Sequence, residues 1–265
     1  MIPKRQFTPY ELRQLRRYNP ENLDIDSIGD KPIEYVTGHA EFCHHDFLVN
    51  QSTLIPRIET EEIVDLISKE NNRFSKDKTL TIVDVGSGSG CLGISTSLLL
   101  NELGFQKINL FLLDLSKDAL KIAGINSSRL LPKSTNIVLI NSDLLANFPE
   151  NINIDILLAN LPYIPSGRIP TLDSSVKDFE PLLALDGGQN GTTLINTLLE
   201  QLPPHLSNNF IGILEIDHTH LLSDFTLPTN LESCLKKDLF GRTRFLILRP
   251  ITLTFSIVNG INTSK

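Results

Sequence analysis

From Leu80 onward, apolar runs of strand length alternate with segments of helical period, and this alternation limits the folds open to the chain. Runs at 80–85, 108–113, 137–140, 154–159, 210–216 and 245–248 are short and almost continuously apolar, as strands buried on both faces are. Between them, 91–100, 117–127 and 191–202 read as helices. A β-α-β order of this kind implies a mostly parallel sheet with helices on both faces, an α/β fold. Open sheets of that type bind ligands at the carboxyl ends of their strands. Four segments fall there: Gly86-Ser87-Gly88-Ser89-Gly90, Asp114, Asp143-Leu144 and Asn160-Leu161-Pro162-Tyr163.

Upstream, residues 7–18 form a short predicted helix with Thr8-Pro9 as cap and first turn, ended by Asn19-Pro20. Arg13, Arg16 and Arg17 share one side of it, either as a solvated face or as a contact for an acidic partner. Residues 39–49 read as a β-hairpin leading into Leu54-Ile55-Pro56-Arg57. A helix follows at 59–70, with Glu59, Glu61 and Glu62 in the first turns, where the dipole favours acids. The expected organisation is a helical docking segment (1–31), a hairpin linker (32–56), a main domain (57–250) and a tail or extra edge strand (251–265). The 31 residues before the hairpin are too few for a helical bundle.

Charge and cysteine usage narrow the function. A net charge of −7 disfavours a generic polyanion binder. Three scattered cysteines, Cys43, Cys91 and Cys234, fit a reducing cytoplasm and no disulfide framework. No apolar run reaches the ~20 residues that span a bilayer, and the first ten residues lack a signal-peptide core. A cytoplasmic monomer is expected, with no membrane contact and no metal.

The glycine loop sits between a strand and a helix, where glycine permits positive φ and lets a ligand approach the backbone. The helix behind it offers free amides to a polar group. Dinucleotide enzymes use comparable loops, so the loop alone leaves the nucleoside open. About 24 residues beyond Gly90, Asp114 ends the next strand, where a carboxylate can accept from two ribose hydroxyls. The Asp143-Leu144 turn is placed to bracket an adenine ring. Asp84 can accept from the cofactor's amino group or from loop amides. Gly86, Ser87, Gly88, Ser89, Gly90, Asp114, Asp143, Leu144 and Asn160 are the expected cofactor contacts.

Asn160-Leu161-Pro162-Tyr163 supplies a side-chain carbonyl, a backbone carbonyl, a stiffened turn and an aromatic face at one point. That set suits a planar NH2 group. An amide nitrogen is a poor nucleophile, so catalysis must come from positioning and polarisation. Asn160 Oδ1 and the Leu161 carbonyl would accept the two N–H groups, while Tyr163 stacks on the flat group and apolar walls exclude water. Together with the glycine loop, this suggests methyl transfer from S-adenosyl-L-methionine to nitrogen.

In these motifs the chain resembles the PrmC/HemK family of glutamine-N5 methyltransferases that modify peptide-chain release factors. The resemblance runs over roughly residues 32–250. It includes Pro32-Ile33-Glu34-Tyr35-Val36-Thr37-Gly38, Leu54-Ile55-Pro56-Arg57-Ile58-Glu59-Thr60-Glu61, the loop at 84–90, and Asn160–Tyr163. Phe179-Glu180-Pro181, Leu185-Asp186-Gly187-Gly188 and Gly241-Arg242-Thr243-Arg244-Phe245 complete it. It implies a Rossmann-like class I methyltransferase sheet behind a helical N-terminal segment and a linking hairpin. The implied cofactor is S-adenosyl-L-methionine, and the implied substrate is the glutamine of a Gly-Gly-Gln loop. The family usually carries Asn-Pro-Pro-Tyr; here Leu161 stands at the second position, and an aromatic that often follows the third-strand Asp is Leu144.

Rival readings are a glutamine methyltransferase of a ribosomal protein, an adenine-N6 nucleic-acid methyltransferase, and a binding module that keeps the cofactor without turnover. Adenine also offers a planar NH2, but its enzyme needs a basic surface and a flipped-base pocket. Gly187-Gly188-Gln189 repeats the substrate motif within the chain and reads as a glycine turn before a helix, with self-methylation of Gln189 as the alternative. Asp217-His218-Thr219-His220 and Cys43-His44-His45-Asp46 hold metal-binding residue types without a third ligand group.

Overall fold

The computed structural model describes residues 5–18 and 23–251. Helix α1 (Pro9–Tyr18) opens with a reciprocal cap: the Glu11 amide donates to Thr8 Oγ1 and the Thr8 amide to Glu11 Oε2. The short α2 (Ile33–Thr37) ends on left-handed Gly38. The hairpin of β1 (His39–Phe42) and β2 (His45–Leu48) turns through Cys43 and His44, both at positive φ, as a two-residue turn requires. Tyr18 stacks on His39 at 3.8 Å and donates to Asp46 Oδ1, fixing α1 against the hairpin.

Helix α3 (Ile58–Glu70) then leads into the alternating region. Its elements are β3 (Leu80–Val85), α4 (Cys91–Glu102), β4 (Ile108–Asp114), α5 (Lys117–Leu130), β5 (Asn136–Asn141) and β6 (Ile154–Ala159). There follow α6 (Ser174–Lys177), α7 (Thr193–Gln201), β7 (Leu206–Glu215), β8 (Leu231–Lys237) and β9 (Thr243–Pro250). The seven strands from β3 to β9 form one sheet in the order β5-β4-β3-β6-β7-β9-β8. The first five in that order are parallel, and β9 runs antiparallel to both its neighbours. This is the expected α/β sheet. Strand order reverses between β3 and β6, which opens a crevice beyond their carboxyl ends.

Both faces of the sheet are buried, which is why its central strands are apolar without alternation. Ile82, Leu110, Leu112 and Ile156 meet Ile63 and Ile67 of α3, Leu92 and Ile94 of α4 and Ala123 of α5. Val83, Val85, Leu113 and Leu157 meet Ile195 and Leu198 of α7 on the other face. Each fully buried aliphatic side chain contributes about 1.5–3 kcal/mol.

Two elements differ from expectation. Residues 33–37 form α2, a single helical turn too short to leave a period. One edge of the sheet is β8, where Leu231, Ser233 and Leu235 face inward and Glu232, Cys234 and Lys236 outward. The extra strand expected at 251–265 falls, apart from Ile251, outside the described residues.

Candidate active site

A cavity of about 220 Å³ opens at the reversal point. It is lined by the loop 86–89, Asp114, the Asp143-Leu144 turn and Asn160–Pro162, with Pro56, Arg57 and Thr60 of the α3 start on the other side. Four separate strand ends thus converge on one space.

The glycine loop is held from beneath. Gly86 and Ser87 both donate to the Leu113 carbonyl, at 2.8 and 2.9 Å. Gly86, Gly88 and Gly90 lie at positive φ, and Gly90 caps α4 in the left-handed conformation. A Cβ on Gly86 would stand 2.8 Å from Leu161 Cδ2, so the buried Leu161 side chain rests on the loop itself. Ser87 Oγ is buried beside the cavity without a hydrogen-bond partner among the described residues. A buried hydroxyl left in that state matches a polar ligand.

Asp114 accepts the Gly88 amide on Oδ2 and the Ser116 amide on Oδ1, both at 2.8 Å. Each oxygen keeps a lone pair for a hydroxyl donor. Burial pushes its carboxyl up, against the pull of those two amides. Asp84 is buried beneath the loop and accepts the Gly93 amide at 2.8 Å. Burial raises it to about 7, with Asp114 adding to the rise. Leu144 takes a φ of 52°, a left-handed backbone that costs a bulky residue of order 1 kcal/mol and turns the chain sharply at the cavity wall.

At the opposite wall, Asn160 Nδ2 donates to Thr60 Oγ1 at 3.1 Å. Thr60 donates in turn to Glu215 Oε2 at 2.6 Å, and Tyr163 donates to Glu215 Oε1 at 2.8 Å. Arg244 lies 3.8 Å from Glu215 Oε1 and bonds Asp238 Oδ2 through Nε at 2.9 Å. Burial raises the Glu215 carboxyl, opposed by the two hydroxyls and Arg244. Burial and the adjacent Glu215 hold the Tyr163 phenol far above its ordinary range. No donor among the described residues meets Asn160 Oδ1.

The structure brings Asn160, Leu161 and Pro162 to the same cavity as the glycine loop, Asp114, Asp143 and Leu144. Tyr163 differs: it does not line the cavity, and its hydroxyl is committed to Glu215. Gly187 and Gly191 support the Asn160–Tyr163 turn from outside. Cβ atoms there would come within 2.7 Å of the Pro162 carbonyl oxygen and 2.1 Å of the Tyr163 carbonyl oxygen. Gly187, the first residue of the Gly-Gly-Gln segment, is therefore packed against that turn. Among the Asp217–His220 residues, Asp217 is engaged by Arg168 and Thr219, and His220 bonds the Asn190 carbonyl.

Thr60 and Glu215 escaped the sequence reading. Glu215 had a signal, as a lone acid inside the buried run of β7. Thr60 had none of its own.

No family model matches the chain. Among solved structures, the hMettl16 catalytic domain in complex with a MAT2A 3'UTR hairpin matches with a TM-score of 0.55, covering 86% of this chain and 92% of that one at 12% identity, a likeness of fold. Curated relatives are nearer in sequence. A release factor glutamine methyltransferase of Flavobacterium psychrophilum is 34% identical over 233 residues, 85% of this chain and 78% of the relative. One from Leptospira interrogans is 32% identical over 227 residues, covering 84% and 77%. With identity above 30% over most of both chains, this protein belongs to the release factor glutamine methyltransferase family.

Proposed function

We propose that this enzyme methylates N5 of the glutamine in the Gly-Gly-Gln loop of a peptide-chain release factor, with S-adenosyl-L-methionine as donor. The observation that carries the reading is the carbonyl of Asn160, which meets no donor among the described residues, in the cavity that also holds the glycine loop. The donor, when bound, would supply a sulfonium methyl carbon for bonding to the amide nitrogen, with the neutral thioether as leaving group.

The chain's own residues do the rest. The backbone of 86–90, the hydroxyls of Ser87 and Ser89, Asp114 and the Asp143-Leu144 turn hold the nucleoside and its polar tail. Asn160 Oδ1 accepts one N–H of the substrate amide and the Leu161 carbonyl accepts the other, which fixes rotation about the C–N bond and raises electron density on nitrogen. Only a backbone carbonyl is needed at position 161, so leucine serves there in place of proline. Apolar Leu54, Pro56, Leu161 and Pro181 around the cavity keep competing water out. No general base is required, because the product sheds its extra proton after transfer.

Residues 57–250 form the catalytic domain in this reading, the hairpin at 32–56 links it, and the segment at 1–31 helps dock the substrate. Arg13, Arg16 and Arg17 of α1 are exposed, as a contact with an acidic surface needs. The test offers purified enzyme and methyl-labelled donor three acceptors: a release factor, ribosomal proteins and nucleic acid. Label in the release factor alone supports the proposal. Label in a ribosomal protein or an adenine base replaces it, and donor binding without label in any acceptor leaves a binding module.

A further inference from the structure

We infer that Glu215 and Thr60 are positioning residues that fix the direction of a hydrogen-bond chain, and that this direction makes Asn160 present its carbonyl to the cavity. The inference rests on the proposed reading, in which Asn160 Oδ1 receives an N–H of the substrate.

Glu215 is 1% exposed at the end of β7. An ionised carboxylate only accepts, so both hydroxyls against it must donate: Thr60 at 2.6 Å to Oε2 and Tyr163 at 2.8 Å to Oε1. Thr60 has one hydroxyl proton, and Glu215 takes it. The Thr60 oxygen then has only lone pairs left for its other neighbour, the Asn160 amide at 3.1 Å. An NH2 satisfies it; a carbonyl there would set lone pair against lone pair. The negative charge of Glu215 thus selects one of two rotamers of an amide that it never touches. The Thr60–Glu215 link is buried, with Thr60 2% exposed, so water cannot reverse the order there cheaply. Arg244, itself braced by Asp238, stands 3.8 Å from Oε1 and balances the charge.

The chain predicts a polarity reversal. In Glu215→Gln the new carbonyl oxygen is drawn to the Oε1 position, beside Arg244 and the Tyr163 hydroxyl. Its NH2 then faces Thr60. The Thr60 hydroxyl turns and donates to Asn160, and the Asn160 amide flips to offer NH2 to the cavity. A substrate NH2 would meet a donor instead of an acceptor. Thr60→Val severs the chain without reversing it, and Thr60→Ser keeps it.

The experiment measures single-turnover methyl transfer to a release factor at saturating donor. Thr60→Ser is expected to stay within about threefold of wild type, Thr60→Val to fall about tenfold, and Glu215→Gln about a hundredfold. The Thr60→Val/Glu215→Gln double variant returns to the Thr60→Val level, because the reversal is transmitted only through the hydroxyl. A role in packing alone predicts additive losses and no return. Donor affinity and melting temperature, read on every variant, identify any that misfolds; if Glu215→Gln does, the Ser-against-Val contrast at Thr60 still decides. Asn160→Ala separates the two claims. If it keeps full activity, the reading of Asn160 fails. If it loses activity while Thr60→Val and Glu215→Gln keep theirs, or if the double variant shows additive losses, the relay is overturned and the reading stands.

Discussion

The amide nitrogen of Asn160 and the hydroxyl of Thr60 meet at 3.1 Å across 100 residues of sequence, joining the end of β6 to the first turn of α3. This one bond makes a wall of the cavity from two elements that the sheet alone would not connect. It also leaves the Asn160 carbonyl as the open half of the side chain.

The glycine loop yields a prediction on the opposite wall. Gly86 has a φ of +71°, and a Cβ there would press on Leu161. Gly86→Ala should lose about 1–2 kcal/mol of stability in urea unfolding, the cost of a left-handed backbone for a residue with a Cβ. Donor binding by calorimetry should weaken as well, since the loop and Leu161 move together. Unchanged binding would remove the loop from the cofactor site.

Asp84 gives a pH dependence. The native carboxyl keeps its proton up to about 7, because burial penalises the charge. The unfolded chain releases it near ~3.9. The native state therefore binds this proton more tightly, and the stability it contributes is complete below the unfolded value and lost as pH rises toward 7. Asp84→Asn still offers an oxygen to the Gly93 amide and cannot ionise. Its melting temperature without donor, relative to wild type, should be higher at about pH 8 than at about pH 5. Equal differences at both values would mean that Asp84 is not held protonated.

Arg57 and Glu180 form an ion pair at the cavity rim, with side chains 32% and 1% exposed. Glu180 also accepts the Ile55 amide. Arg57→Ala strands a buried carboxylate and should cost about 2 kcal/mol, below the full range for buried pairs because the arginine is partly solvated. Adding Glu180→Gln should recover part of that loss in a double-mutant cycle. A further loss in the double variant would assign the effect to packing alone.

The strands at 80–85 and 154–159 were legible to the residue because strands buried on both faces leave unbroken apolar runs. The cavity was legible for a related reason: its contacts are read off the polar residues that end those runs. Edge strand β8 was missed because one of its faces is wet and its charges break the run. The bond from Tyr163 to Glu215 was not legible, because a motif shows which residues are adjacent, not where a phenol finds its acceptor. Glu215 lies 52 residues away from Tyr163, and Thr60 155 residues from Glu215. Such pairings are set by how α3 crosses the end of β7, which no local pattern records.

The central claim is that the Asn160 carbonyl pins the substrate amide. Its most direct measurement is the single-turnover rate of Asn160→Ala on a release factor, with the methyl located by tandem mass spectrometry at the Gly-Gly-Gln glutamine. The rate should fall by about two orders of magnitude or more, roughly 3 kcal/mol, with donor affinity close to wild type. Methylation of that glutamine at an undiminished rate would contradict the account.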